Sequence, residues 1–93
     1  MVVGLLSIEL HLPGSRSLKD KRMVLRGIKD RLAKFNVAVA EVAHQDLWQR
    51  AGLGVVTVST TNARVDQELA AVVGEIERLE PGLITRTEVA YLA

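Results

Sequence analysis

The sequence predicts an α+β fold in which two helices pack on one face of a four-stranded antiparallel sheet. Segments with the two-residue period of strands and the 3.6-residue period of helices follow one another in the order βαββαβ. The chain has 93 residues, which is enough for a single domain, 1–93, around one core. Each predicted helix has one apolar stripe, and both stripes can be buried together only on the same face of the sheet.

The first strand and the first helix follow each other directly along the chain. Apolar and polar side chains alternate along residues 2–12, which is typical of a strand with one buried face. Pro13-Gly14 ends this strand, because proline cannot extend the ladder and glycine adopts turn geometry freely. Ser17 is a favourable helix N-cap, and Asp20 three residues later resembles a capping box. We expect the first helix to run from Ser17 to about Asn36.

Four further segments complete the predicted order. Residues 37–44 form the second strand, and the β-branched run 54–60 forms the third. Asn62 is expected to cap the second helix, which Pro81-Gly82 ends. Residues 83–92 form the last strand.

This order of elements corresponds to a ferredoxin-like βαββαβ sandwich. Right-handed crossover connections then place the strands in the order 4-1-3-2. The second and fourth strands lie at the edges of the sheet, and their unpaired backbone groups could join a second copy of the chain. A homodimer through an edge strand is therefore one partner that we expect.

The composition is that of an ordinary globular chain, with 48% hydrophobic and 25% charged residues. Cysteine is absent, which excludes disulfides, thiolate metal ligands and thiol nucleophiles. No apolar segment reaches the ~18 residues that a membrane span needs. Glu9 and His11 interrupt the apolar amino-terminal segment, so we do not expect a signal peptide. We therefore expect a cytoplasmic location and no membrane partner.

Charge is divided unequally between the two predicted helices. Residues 14–34 contain eight Lys or Arg and two Asp, whereas residues 62–80 contain two Arg and five acidic residues. One interpretation is that the basic helix binds RNA or another phosphate-bearing partner. The other, which we favour, is that the two helices lie side by side and exchange surface ion pairs while the remaining charges are solvated.

The predicted topology brings two polar loops together. The loop after the first strand and the loop between the second and third strands lie at the same end of a ferredoxin-like sheet. A phosphate could bind at the start of the first helix, where backbone N–H groups are free. The candidate anion- or RNA-binding residues are Arg16, Ser17, Lys19, Lys21, Arg22, Arg26 and Arg50. The candidate partner contacts are His44, Gln45, Asp46, Trp48 and Gln49.

The tip of the predicted hairpin has two interpretations. In one, His44, Asp46 and Arg50 form a polar site and Trp48 is a stacking platform. In the other, Leu47 and Trp48 fold back as a plug over the open end of the core. We favour the plug, because a single tryptophan in a small domain is more often a core anchor.

No pattern in the sequence identifies a metal site or a reaction. His11 and His44 could form a metal pair with Asp46 or Glu9, but their spacing matches no known ligand motif. Acylphosphatases share the predicted fold, but Pro13–Arg16 resembles their phosphate loop only weakly. The glycine-rich motif ending in arginine that forms that loop is not present here. No paired carboxylates and no activated serine complete a catalytic site. We therefore assign no catalytic residue, and we expect no metal and no cofactor.

Two segments resemble a known family of bacterial proteins. Ser17–Arg22 reads SLKDKR, and residues 35–51 contain FNVAVAEV followed by HQDLWQRA. Together these segments are similar to those of the YlxP-like family, whose members have nearly this length. The resemblance implies a ferredoxin-like fold, and it assigns no catalytic residues. Members of that family are often encoded among translation and ribosome-maturation genes, which implies a role linked to RNA or the ribosome.

These observations lead to a functional prediction with one alternative of a different class. We expect a non-enzymatic RNA- or ribosome-associated binding module that uses its basic helix and loop end. The alternative is a protein-interaction or homodimeric structural domain that does not bind nucleic acid. A phosphate-handling enzyme is the less favoured third interpretation.

Overall fold

The computed structural model describes residues 1–93 and contains the expected six elements in the expected order. These are β1 (Val2–His11), α1 (Leu18–Leu32), β2 (Ala38–Ala43), β3 (Arg50–Ser59), α2 (Asn62–Leu79) and β4 (Ile84–Tyr91). The strands form one sheet in the order β2-β3-β1-β4, and every neighbouring pair is antiparallel. The βαββαβ fold and the 4-1-3-2 strand order are confirmed, with β2 and β4 at the edges.

The central strand β1 divides its side chains between the two faces of the sheet. Leu6, Ile8 and Leu10 are almost fully buried on the face that carries the helices. Gly4 lies on the same face, and a Cβ atom there would overlap the side chain of Val65 on α2. The missing side chain therefore allows α2 to pack close to β1.

The first helix begins where the capping pattern predicts. The Asp20 backbone N–H donates to the Ser17 hydroxyl oxygen at 3.0 Å, and the Arg16 N–H donates to the Asp20 carboxylate at 2.9 Å. Leu25, Ile28 and Leu32 are buried along one stripe. The helix ends at Leu32, about four residues earlier than expected.

Two other boundaries also differ from the sequence-based expectation. The N-cap of α2 is Thr61, whose hydroxyl accepts from the Arg64 N–H, so Asn62 is the first helical residue. Strand β3 begins at Arg50 rather than at Gly54, because Arg50 pairs with His11 at the end of β1. Ala51 and Gly52 lie in this added segment, and both residue types have low β-propensity. The sequence therefore did not predict residues 50–53 as part of the strand.

The core lies between the helices and one face of the sheet. Fourteen buried apolar residues form one cluster, and all but Leu12, which follows β1, lie on β1, β3, α1 and α2. The opposite face, called here the open face, is covered by no helix. Neither helix is long and apolar enough to cross a membrane.

Candidate functional site

The two polar loops meet at one end of the sheet, as the topology predicts. The first loop is residues 12–17, and the hairpin loop is residues 44–49. The Leu12 N–H donates to the Gln49 carbonyl at 2.9 Å. The Gln49 side-chain amide donates to the carbonyls of Pro13 and Ser15, at 3.3 and 3.2 Å. The two loops together form what we call the loop pole.

A buried lysine connects the first helix to the hairpin. Lys21 is 1% exposed, and its ammonium group donates to the backbone carbonyls of His44, Gln45 and Arg50 at 2.8, 3.2 and 3.3 Å. Its Nζ also lies 2.8 Å from the Glu41 carboxylate. Lys21 therefore satisfies the carbonyls of a sharp turn and fixes the position of the hairpin loop relative to α1.

This burial corrects the prediction that Lys21 contacts phosphate. The sequence carried a signal for the buried position, because Lys21 precedes Leu25 by four residues and Ile28 by seven, which places all three on one helical stripe. Glu41 follows Val39 by two residues on β2 and therefore faces the helices as well. The charge of Lys21 led us to expect solvent exposure, but its side chain pairs with Glu41 beneath α1.

The start of α1 is occupied by its own side chains. The Ser17 hydroxyl oxygen accepts from Asp20, and the Asp20 carboxylate lies against the Arg16 backbone N–H. Ser17 is therefore a capping residue, and a carboxylate is held where a bound phosphate was expected. The Arg16 side chain remains exposed on the first loop.

A charged cluster lies where the open face reaches the loop pole. Glu9 Oε2 is 3.2 Å from His44 Nε2 and 3.7 Å from the Arg50 guanidinium. The guanidinium of Arg50 is also 3.2 Å from His44 Nε2. His44 is the one non-glycine residue with a positive φ, 60°, and its backbone carbonyl accepts from Lys21. His44, a predicted partner contact, and Arg50, a predicted anion-binding residue, therefore make structural contacts within the chain.

No group of three or more histidine, aspartate or glutamate side chains has a geometry that could hold a metal ion. His44 is paired with Glu9 and Arg50 instead. The other histidine, His11, lines a different part of the surface, beside Trp48.

The tryptophan is on the surface, so the plug interpretation is wrong. Trp48 is 54% exposed and Leu47 is 42% exposed. Together with His11, Gln49 and Arg50 they line an open cavity of about 430 Å³. An exposed indole beside a guanidinium group fits the alternative interpretation, in which Trp48 is a stacking platform.

Gln45 and Asp46 complete the tip of the hairpin. The Gln45 carbonyl accepts from Lys21, and its side-chain amide donates to the Glu41 carbonyl at 3.4 Å. Asp46 is exposed, and its carboxylate forms no hydrogen bond or ion pair within the chain. The structure thus brings the five predicted contact residues to one pole, but most of their polar groups are already bonded.

The exposed cations of α1 form a continuous stripe along the helix. Spacings of three, four and three residues place them on one side of α1, and none of them lies in an ion pair. Three of them line a shallow cavity with Leu25, Asp30 and Glu41, so this side of the helix faces the edge strand β2. The four residues, called here the basic stripe, are Lys19, Arg22, Arg26 and Lys29.

At its carboxyl-terminal end, α1 is ion-paired with α2. Glu75 has a side chain that is only 4% exposed, and it pairs with Arg31 and Lys34 at 3.3 and 3.1 Å as well as with Arg78. Hydrogen bonds from Arg78 and Lys34 lower the pKa of Glu75 from 4.5 to about 2. We favoured the interpretation in which the two helices exchange surface ion pairs. Such pairs are present at the end of α1, but the basic stripe has none.

Comparison with known proteins places this chain in a family. The family described as "Protein of unknown function (DUF503)" matches residues 3–89. The chain belongs to the DUF503 family. The uncharacterized protein YlxP of Bacillus subtilis (strain 168) is 38% identical over 94 residues, which cover 94% of this chain and 98% of YlxP. The YlxP-like resemblance noted in the sequence is confirmed.

A solved structure shows the same fold in a distant protein. The crystal structure of At3g17210 from Arabidopsis thaliana superposes with a TM-score of 0.56 at 13% identity. The match covers 100% of the DUF503 chain and 94% of the plant protein. At that identity the similarity concerns the fold alone.

The contacts of Lys21 explain why the two resembling segments occur together in this DUF503 chain. The first segment, residues 17–22, supplies the helix cap and the lysine. The second segment, residues 35–51, supplies Glu41 and all three carbonyls that the lysine binds. Much of this sequence pattern therefore maintains the loop pole rather than contacting a ligand directly.

Proposed function

We propose that this DUF503 chain is a non-enzymatic RNA-binding module that contacts single-stranded phosphate backbone with the basic stripe and Arg16. Association with the ribosome would be one setting for such binding. Lys21 and Ser17 are left out of the contact set, since they hold the loop pole in place.

The observation that carries the proposal is the difference between the two sides of α1. Arg31 and Lys34 are ion-paired with Glu75, whereas the basic stripe is exposed and without ion pairs. Four unpaired cations along about three helical turns produce a local positive potential that attracts a polyanion. The chain's formal net charge of only +1 means that this potential is local and does not come from the overall charge.

The loop pole supports single-stranded RNA over a duplex. Trp48 presents an exposed indole in the cavity shared with Arg50, and bases of single strands stack on such side chains. Gln49, the next residue, is hydrogen-bonded to the first loop just before Arg16. The stacking platform and Arg16 are therefore carried by loops that are bonded to each other.

The open face does not offer the stacking surface of an RRM domain. Its strand centres carry no aromatic side chain, since Leu5 and Ser7 on β1, Val56 and Gly54 on β3 and Glu88 on β4 face outward there. The whole chain contains only one Trp, one Tyr and one Phe. RNA is therefore expected to bind through the loop pole and α1, mostly by electrostatic attraction.

Affinity for a fluorescent single-stranded oligonucleotide, measured against salt concentration, tests the proposal. Each phosphate contact contributes a slope of roughly 0.7 in the logarithm of affinity against the logarithm of salt for single strands. Arg22→Gln with Arg26→Gln should therefore weaken binding and reduce the slope by about 1.4.

The matched control removes two charges elsewhere. Arg64→Gln with Arg86→Gln lowers the net charge equally at exposed positions on α2 and β4, outside the basic stripe. The control pair should leave affinity close to that of the wild type. Equal losses in both pairs, or no measurable binding by the wild type at low salt, would exclude a specific role for the stripe.

A further inference from the structure

The open cavity at the loop pole combines an exposed aromatic surface with hydrogen-bonding groups. Its volume is about 430 Å³, and it is lined by His11, Leu47, Trp48, Gln49 and Arg50. Small-molecule sites are typically clefts of about 300–1,000 Å³ with apolar walls and a few fixed polar groups. The cavity therefore has the size and composition of a site for one small group of a ligand.

The indole of Trp48 gives this cavity a flat wall on a loop that is held in place. Lys21 binds the carbonyls of Gln45 and Arg50, on either side of Trp48 in the sequence, at 3.2 and 3.3 Å. The indole itself is 54% exposed. The group that fits against it is planar, and every nucleobase has a π-face that stacks on such a ring.

The guanidinium of Arg50 has donors left for a ligand. Its contacts with Glu9 and His44, at 3.7 and 3.2 Å, both use Nη2. Nη1 and Nε form no hydrogen bond within the chain, and the side chain is 54% exposed. A guanidinium group is a rigid fork of N–H donors. Because one nitrogen is already anchored, the fork is held in position to donate to two neighbouring acceptors.

The side-chain amide of Gln49 offers the cavity an acceptor but no free donor. Its nitrogen donates to the carbonyls of Pro13 and Ser15, which uses both of its N–H groups. Its oxygen accepts no hydrogen bond within the chain. A glutamine binds adenine through its amide nitrogen and oxygen together. That contact is not available to Gln49, so this residue does not favour adenine.

Guanine is the base that matches these groups. Its O6 and N7 are neighbouring acceptors, which a guanidinium group binds through two hydrogen bonds. On the corresponding edge, adenine has one acceptor and one donor, uracil has one acceptor and cytosine has a donor. None of these three can accept both hydrogen bonds from Arg50. The N–H groups on the pairing edge of guanine are free in a single strand, and the amide oxygen of Gln49 can accept from them.

We infer that the loop pole selects guanine, which stacks on Trp48 and accepts two hydrogen bonds from Arg50. The inference rests on the proposed function, since the basic stripe holds the strand that carries the base, and it names the base which that surface prefers. A free guanine nucleotide presents the same chemistry. The experiment therefore includes both sources of guanine.

Short oligouridines with one guanosine, one adenosine or one 7-deazaguanosine at the same central position test the inference. The wild type should bind the guanosine strand about tenfold more tightly than the other two, because adenine and 7-deazaguanine each lack one of the two acceptors. Arg50→Lys keeps the charge but removes the fork, so it should bind all three strands within about twofold of one another. The comparison with 7-deazaguanosine uses the wild type alone and does not depend on how the variant folds.

The matched control changes the other arginine beside Glu9. Arg86 is paired with Glu9 in the strand register and does not line the cavity. Arg86→Lys should therefore keep the preference of about tenfold for guanosine. Equal affinity of the wild type for the guanosine and adenosine strands would overturn the inference and leave RNA binding intact.

Mononucleotides separate failure of the inference from failure of the proposed function. If the wild type binds no oligonucleotide at low salt, the proposed function fails, and titrations with guanosine and adenosine monophosphate decide the rest. Quenching of Trp48 emission by the guanine nucleotide at about tenfold lower concentration would support a site for free guanine nucleotides. Equal quenching by the two nucleotides would overturn the inference as well.

Discussion

At the scale of single residues, Lys21 has the largest structural consequence. Its ammonium group is removed from water and is satisfied by three carbonyls and one carboxylate. Removing one partner of a buried ion pair leaves the other charge uncompensated, which costs about 3–5 kcal/mol.

Lys21→Met should therefore lower the free energy of unfolding by about 3–5 kcal/mol, because Glu41 would lose its partner. Urea denaturation followed by circular dichroism measures this change. Lys19→Met, on the exposed side of the same helix, should change stability by no more than about 0.5 kcal/mol. Equal effects of the two substitutions would show that Lys21 is not buried.

Trp48 is the residue that distinguishes base stacking from purely electrostatic binding. Trp48→Ala should weaken binding of a single-stranded oligonucleotide by about 1–3 kcal/mol, the usual contribution of one stacked base. It should affect stability little, since the indole is more than half exposed. Leu47→Ala is the control, and it should leave RNA affinity unchanged.

The same stacking is visible by fluorescence, because Trp48 is the only tryptophan. Saturating oligonucleotide should quench the indole emission. RNA binding without quenching would place the bases away from the hairpin loop.

At the scale of helices and strands, the contact between α1 and α2 depends on one carboxylate. Glu75 has a pKa of about 2 in the folded chain and an ordinary value of 4.5 when exposed. Protons therefore bind preferentially to the unfolded chain, and the stabilisation by Glu75 is present above pH 4.5. It is lost as the pH falls from 4.5 toward 2.

Glu75→Gln should remove this part of the pH dependence. Between pH 4.5 and 2, the melting temperature of the wild type should fall more steeply than that of the variant. Glu77→Gln, at an exposed position on the same helix, should keep the steep wild-type profile. Parallel profiles of melting temperature against pH for the wild type and Glu75→Gln would show that Glu75 does not cause this pH dependence.

Two glycines show how packing between elements changes the effect of one substitution. Gly4→Ala should destabilise the chain by about 1–3 kcal/mol, because the added methyl overlaps Val65. Gly27 lies on the exposed side of α1, and a Cβ atom there would meet no neighbouring group within 4 Å, so this glycine does not serve close packing. Gly27→Ala should therefore stabilise the helix by about 0.5–1 kcal/mol, and paired thermal melts measure both effects.

The elements themselves could be predicted from periodicity, but some of their ends could not. The stripes of α1 and α2 and the alternation of β1 depend on local spacing, which is visible in the sequence directly. The start of β3 depends on pairing with His11, a residue about forty positions away, and local propensity does not report it. The burial of Lys21 was visible in its helical spacing but was hidden by its charge.

At the scale of the whole molecule, the structure separates two surfaces of different chemistry. The loop pole and the basic stripe are charged and carry the exposed indole. The remote part of the open face is aliphatic and nearly uncharged. Topology predicted that the two loops meet, whereas the apolar open face was not anticipated, because small residues on β2 and β3 gave no clear alternation.

The location of bound RNA is tested most directly by titrating the ¹⁵N-labelled chain with a single-stranded oligonucleotide and recording backbone and indole NMR shifts. The largest changes are predicted along residues 16–29 and at the Trp48 indole, and they should diminish as salt is added. Changes centred on the open face of the sheet, or no changes at low salt, would contradict the assignment of the basic stripe and loop pole as the RNA-binding surface.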